Sequence, residues 1–265
     1  MKCVIHFCAI LISTATMLGS SALVAAEPAA KPAPTGTAAV ADDPKAPYPG
    51  LRRLTPEYDV WLDPKQKQVV LTGKVVLRRG PLELFACLKN TKEHESVVAC
   101  DTKAYIVHAA LLAIGGQPGN PARFLPDFKP ARGTEIEITV EWTDAAGAKK
   151  RMDARQWLRN VRTGEPLKYP WVFGGSGFWT DPADGKSYYQ AEEGDFICIS
   201  NFTTAMLDLP IESPQTNASL VYEAFTDNIP PDDTKVLLFL KPKLDAKAGD
   251  AKPAPAKPAA NLPQS

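Results

Sequence analysis

His94 lies between Glu93 and Glu95, and His108 lies inside the apolar run from Ala104 to Ile114. Imidazole beside carboxylate can hold a divalent metal or form an acid–base pair. His94, Glu95 and His108 are therefore the candidate metal ligands. Spacing argues against a site built locally. If a helix from residue 104 folds back along a strand at Ser96–Cys100, His108 lies about 9 Å back at the helical rise. His94 lies about 20 Å back at the strand rise. The two rings are then offset by about 11 Å along the strand axis. The plainer readings are a buried histidine bonded to backbone for His108 and a solvated loop for Glu93–Glu95.

Three cysteines outlast the expected loss of the N-terminal leader: Cys87, Cys100 and Cys198. If Leu82–Leu88 and Ser96–Cys100 pair as an antiparallel hairpin, Cys87 and Cys100 come opposite or one pair apart, within disulfide reach. The alternative is two small buried thiols. Cys198, within Phe196-Ile197-Cys198-Ile199, reads as a core residue. Cys87 also enters the alternative reading of a metal-binding or redox protein that uses His94, Glu95 and His108.

Phe173-Gly174-Gly175-Ser176-Gly177-Phe178-Trp179 raises a hydrolase reading with Ser176 as nucleophile. It lacks the final glycine of the nucleophile elbow G-x-S-x-G. No Lys-Ser/Thr follows to make a phosphate loop. A tight turn where glycine admits close backbone approach is the simpler account. The aromatics nearby (Tyr169, Trp171, Phe173, Phe178, Trp179, Tyr188, Tyr189) line a groove or half-fill a sheet.

The elements that must position these groups read mostly as strands. Tyr58–Leu62, Gln68–Leu71 and Lys74–Leu77 come first, with Thr72-Gly73 as a turn or bulge. Leu82–Leu88 and Ser96–Cys100 follow. Glu135–Trp142 alternates over its whole length, and Asp144–Gly147 turns it toward Lys149–Met152. Later strand candidates are Trp171–Phe173, Tyr188–Gln190, Phe196–Ser200, Leu220–Phe225 and Val236–Leu240. The run Ala104–Ile114, capped by Asp101 or Thr102 and stopped by Gly115-Gly116, is apolar on nearly every side. Such a helix must be largely buried. The expected fold class is α+β: mainly antiparallel sheet packed on one buried central helix (about 101–115), with a second short helix (about 154–161) capped by Asp153.

Lys2 followed by the apolar stretch Cys3–Leu18 and Val24-Ala25-Ala26 predicts a signal peptide over 1–26, cut after Ala26. Residues 27–49 and 245–265 are rich in Pro, Ala and Lys, nearly empty of large aliphatics, and expected to be disordered. A single domain is expected over 51–244. Basic and acidic side chains balance at 30 each, and loss of Lys2 leaves one net negative charge. That balance argues against a nucleic-acid partner. No further segment is apolar for long enough to span a bilayer as a helix.

The stretch LELFACLKNTKEHESVVACDTKAYIVHAALLAIGGQPG (residues 82–119), with PWVFGGSGFW (170–179) and GDFICISNFTTAMLDLPIES (194–213), resembles the YdjY-domain family of bacterial exported proteins. The resemblance runs from Thr55 to about Pro242. It implies an exported or envelope-associated protein with no established activity. Some members carry an iron–sulfur or ferredoxin-like label, and this chain departs from it. A cluster needs about four closely spaced thiolates. The cysteines left after leader removal are too few and too far apart, so no iron–sulfur cluster is expected. The leading expectation is an exported envelope or periplasmic binding or structural module. Its partner is an unknown protein or cell-envelope component.

Overall fold

The long strands turn one apolar side inward, and the sheet they build closes into a ring. The structure is a computed structural model, and residues 43–215 and 220–244 are described. The expected leader, residues 27–42 and the C-terminal tail lie outside the described residues. Eight strands form the ring: β1 (Gln68–Val75), β2 (Leu84–Leu88), β3 (Ser96–Cys100), β4 (Glu135–Thr143), β5 (Trp171–Phe173), β6 (Ile197–Cys198), β7 (Leu207–Asp208) and β8 (Lys235–Pro242). β1 pairs with β8, β8 with β4, β4 with β5, β5 with β7, β7 with β6, β6 with β2, and β2 with β3. The ring closes where Lys74 and Val75 of β1 meet Ala99 and Val98 of β3. The β2–β3 and β6–β7 pairs are parallel.

Leu71, Leu238 and Val140 lie side by side across β1, β8 and β4, as do Val69, Leu240 and Ile138. All six belong to the main core, with Ile136, Trp171, Phe173, Leu207, Ile197, Ala86 and Val98. An eight-stranded barrel has an interior just wide enough for side chains to fill. Enclosing a side chain such as Leu71 contributes about 1.5–3 kcal/mol. Val70 and Phe239 point outward, into a smaller cluster with Leu51 and Trp61. Residues 43–50 help cover that cluster. Trp61 Nε1 donates to Asp43 at 2.8 Å, and the Tyr48 hydroxyl donates to Glu141. Ordered packing therefore starts before the boundary expected from composition.

The α+β expectation is corrected: a closed β-barrel stands in place of a sheet packed on a central helix at about 101–115. The helix, α1 (Ala104–Ala113), packs against β1 and the turn Gln190–Glu193. It buries the stripe Ala104, Ile106, Val107, Ala110 and Leu111, while Tyr105 is 53% exposed and Leu112 46%. That stripe joins the same main core as the inward-facing strand side chains, so the helix adds one apolar side to a closed barrel rather than serving as the element a sheet packs on. Neither Asp101 nor Thr102 caps α1. Glu192 Oε1 accepts from the Tyr105 amide instead. Gly115 ends the helix at φ +97°, as expected. The second helix at about 154–161 is also absent. Asp153 does cap, accepting from Arg155 N, but the segment makes one 3₁₀ turn (Ala154–Trp157) and then a strand (Leu158–Asn160).

Parallel pairing of β2 and β3 overturns the expected hairpin, and the disulfide with it. Cys87 faces Ala99, while Cys100 faces Leu88. Cys87 packs with Leu84, Ala99, Cys198 and Ala205, and Cys100 joins the main core. Cys87, Cys100 and Cys198 are all buried free thiols. Burial raises the pKa of each, which keeps them as unreactive thiols.

Gly73 is not a turn, because β1 runs straight through it. A Cβ there would lie 2.5 Å from Val98 Cγ1 and 3.4 Å from the Ala99 carbonyl. Gly73→Ala should cost roughly 1–3 kcal/mol by overpacking. Val98→Ala in the same chain should recover part of that loss, with a favourable coupling in a denaturant double-mutant cycle. Additive losses would show that the approach of β1 to β3 is not tight.

Candidate functional site

After Phe173 the chain leaves β5 through Gly174-Gly175-Ser176-Gly177 and enters a hairpin of Phe178–Thr180 paired with Ser187–Tyr189. Two residues of this exit hold left-handed backbone: Gly175 at φ +89° and Ser176 at φ +55°. Glycine is required at 175 for a second reason, since a Cβ would sit 2.6 Å from Pro118 Cβ. The amides of Gly175 and Ser176 donate to Met206 and Ala205, each at 3.0 Å, and prolong the β5–β7 seam. The Ser176 hydroxyl donates to the Thr204 carbonyl at 2.6 Å. Thr204 in turn donates to nearly buried Asp195, which also receives Lys92 at 2.8 Å.

His108 meets this exit from α1. Its ring lies edge-on to Phe173 (4.8 Å between centroids) and to Tyr189 (5.4 Å). Its Nδ1 is 2.8 Å from the Tyr189 hydroxyl, which lies 3.0 Å from the Gly175 carbonyl. A phenol has one proton. With that proton on the Gly175 carbonyl, Nδ1 of His108 must be the protonated nitrogen, and Nε2 keeps its lone pair. Burial lowers the His108 pKa. Burial raises that of Tyr189; the charge of Glu192 adds to the shift and the Ser176 hydroxyl opposes it. Each shift favours the neutral form of its group.

Behind the exit lies a second polar knot. Asp208, fully enclosed on β7, accepts from Asn201 Nδ2 (3.0 Å), the Leu209 amide (2.7 Å) and the Phe202 amide (3.4 Å). Asn201 Oδ1 accepts from the Ser213 amide at 2.6 Å. Burial pushes Asp208 up to about 8 against the pull of those donors.

The candidate ligands do not assemble. His94 sits on a 3₁₀ turn with its side chain 79% exposed, and Nε2 is 3.7 Å from Glu95. His108 is held by Tyr189 and Phe173 on a different element. Among the described residues, no group of three or more His, Cys, Asp or Glu side chains is arranged to hold a metal. Ser176 gives its proton to a carbonyl rather than to a base. The residues missing from the sequence reading are Tyr189, as partner of His108, and Thr204, as partner of Ser176. Their sequence distances of 81 and 28 residues leave no local trace.

The aromatic group divides. Trp171, Phe173 and Tyr189 are buried. Phe178 (71%), Trp179 (50%) and Tyr188 (46%) are exposed on the hairpin. Trp179 and Tyr188 are cross-strand partners, with ring planes 31° apart. The polar groups of the site thus fix its turn from within, and the apolar faces point out.

A family model described as the YdjY domain matches residues 60–241. No curated protein and no solved structure matches the chain. No helix among the described residues is long and apolar enough to cross a membrane.

Asp208 binds its proton more tightly when folded than when unfolded. Stability should therefore fall as pH rises from about 4, the free carboxylate value, toward about 8. His108 has the opposite sign, so stability should fall as pH drops below the ordinary 6.5. Denaturant titrations of wild type and Asp208→Asn between about pH 5 and 8 separate the two. The variant should lose the decline toward high pH, and a decline kept in full would assign it elsewhere. Tyr189→Phe should cost about 1–3 kcal/mol in the same assay, because it strands the Gly175 carbonyl and His108 Nδ1.

Proposed function

The chain belongs to the YdjY-domain family, and from that premise we propose that it is a non-catalytic exported binding module. Its contact surface is the aromatic hairpin at residues 178–189, and its partner is a component of the cell envelope. One observation carries this reading. Phe178, Trp179 and Tyr188 stand exposed on a hairpin whose root is locked by the hydrogen bonds of Ser176, Tyr189 and His108. A large aromatic left in water on a rigid support is what a recognition surface needs, because it buries much area for little lost entropy. Exposed apolar patches on a well-packed domain mark interaction sites.

The polar groups give less support to chemistry. Among the described residues His108 has no carboxylate to orient it, and the Ser176 hydroxyl is turned to Thr204 O. A nucleophile requires a base within hydrogen-bond reach. The sequence pattern that predicts a leader at 1–26 supports the exported part of this reading.

The test is co-sedimentation of the mature chain with isolated cell envelopes. Trp179→Ala/Tyr188→Ala should weaken binding at least about tenfold while leaving the melting temperature nearly unchanged. Unaltered binding by that variant overturns the assignment of the surface. Ester hydrolysis that disappears in Ser176→Ala would restore the hydrolase reading.

A further inference from the structure

The segment Pro121–Ala131 forms a second projection with a different chemistry. Its ends are anchored, since Ala122 is 2% exposed and Ala131 fully buried. Arg123 and Lys129 close it by reciprocal backbone hydrogen bonds of 2.9 and 2.7 Å. Phe124 and Phe128 pack ring against ring above that closure, 5.7 Å apart. At the tip Leu125 is 79% exposed and Phe124 41%. Leu125 is the most exposed large apolar residue of the described chain.

Cations stand at the base of the projection, and the acids near its apolar tip are Asp127 and Glu212, the latter lining one cleft with Phe124. Arg123, Lys129 and Arg132 are exposed, and none has an acidic partner among the described residues. Asp127 is the one acid between Pro121 and Ala131, so the projection carries a net charge of +1, and Arg132 just past its end adds a further positive charge within a nearly neutral chain. Its root also touches the aromatic hairpin's root, because a Cβ on Gly174 would lie 3.3 Å from Pro121 Cα. Tryptophan and tyrosine, the exposed pair on that hairpin, are the side chains that favour the headgroup layer of a bilayer.

We propose that the 121–131 projection docks the protein on the surface of an anionic phospholipid bilayer. Leu125 and Phe124 enter the boundary between headgroups and acyl chains, and Arg123, Lys129 and Arg132 meet lipid phosphates. A convex apolar tip with an unpaired basic collar is complementary to a soft anionic plane. The proposal rests on the binding-module reading and names the envelope component as lipid.

The test uses the full mature chain and sedimentation with vesicles of phosphatidylcholine alone, or of phosphatidylcholine mixed with phosphatidylglycerol. Binding should require phosphatidylglycerol and weaken as salt is raised to about 0.5 M. Leu125→Asp should weaken it at least about tenfold, and Arg123→Glu/Lys129→Glu by at least as much. All of these side chains are exposed, so both variants should keep the wild-type melting temperature, which is measured alongside. Equal binding by wild type and Leu125→Asp overturns the proposal, as does no binding to either vesicle. If the wild type ignores vesicles yet still sediments with lipid-extracted envelopes, the lipid assignment falls and the binding-module reading stands. If it binds neither, both fall.

Discussion

The closure of β1 on β3 is the constraint on which the rest of the structure depends. β1 is long enough to divide one edge between two partners. Its first half pairs with Val60–Asp63, and Lys74 and Val75 reach across to Ala99 and Val98. The crossing leaves no room for a side chain at residue 73, where Val98 already stands. Without that contact the sheet would keep open edges at β1 and β3, a liability that closure removes. With it, the inner faces of eight strands form one continuous core. α1 adds its buried stripe to that core from one side.

This placement explains how the candidate site comes to be rigid. β5 and β7 are very short, so the chain leaves the barrel almost as soon as it has entered. Buried backbone groups at such an exit still need partners. Tyr189 satisfies the Gly175 carbonyl, His108 satisfies Tyr189, and Ser176 satisfies Thr204. Hydrogen-bonding capacity that might have served a reaction is consumed in holding left-handed backbone at residues 175 and 176. The same rigidity lets the following hairpin hold bare aromatic rings in one place.

Much of the strand pattern was legible in the sequence, because alternation is a direct imprint of a two-sided sheet. Glu135–Thr143 and Lys235–Pro242 read almost as they fold. Gly73 did not, because its role is set by Val98, a residue on a strand that pairs with it only through closure. Nor did the direction of β3 relative to β2. Parallel neighbours usually need a crossover of a dozen or more residues, and the 89–95 connection is shorter, so a hairpin was the sound expectation. The cysteine pairing fell with it, since the parallel register puts Cys87 and Cys100 in different packing clusters. In α1 the apolar run is broad, but short alanines at 109 and 113 need no burial, and the helix could lie on a wall instead of at the centre.

Composition conceals a further asymmetry. Equal numbers of acids and bases suggest an electrostatically bland surface, and ion pairs cancel part of its charge. Lys74 meets Asp233, Lys89 meets Asp101, Arg155 meets Asp153 and Arg159 meets Glu223. Exposed pairs of this kind contribute little stability. Their larger effect is to cancel the field locally. Arg123 and Lys129 carry charge without an ion pair on one projection, and Arg132 carries a third just past its end. A net charge near zero therefore speaks against a partner that needs a broad basic face, as nucleic acid does. It is compatible with a contact that uses a few cations around an apolar tip, because there the charge need only orient what the apolar side chains hold.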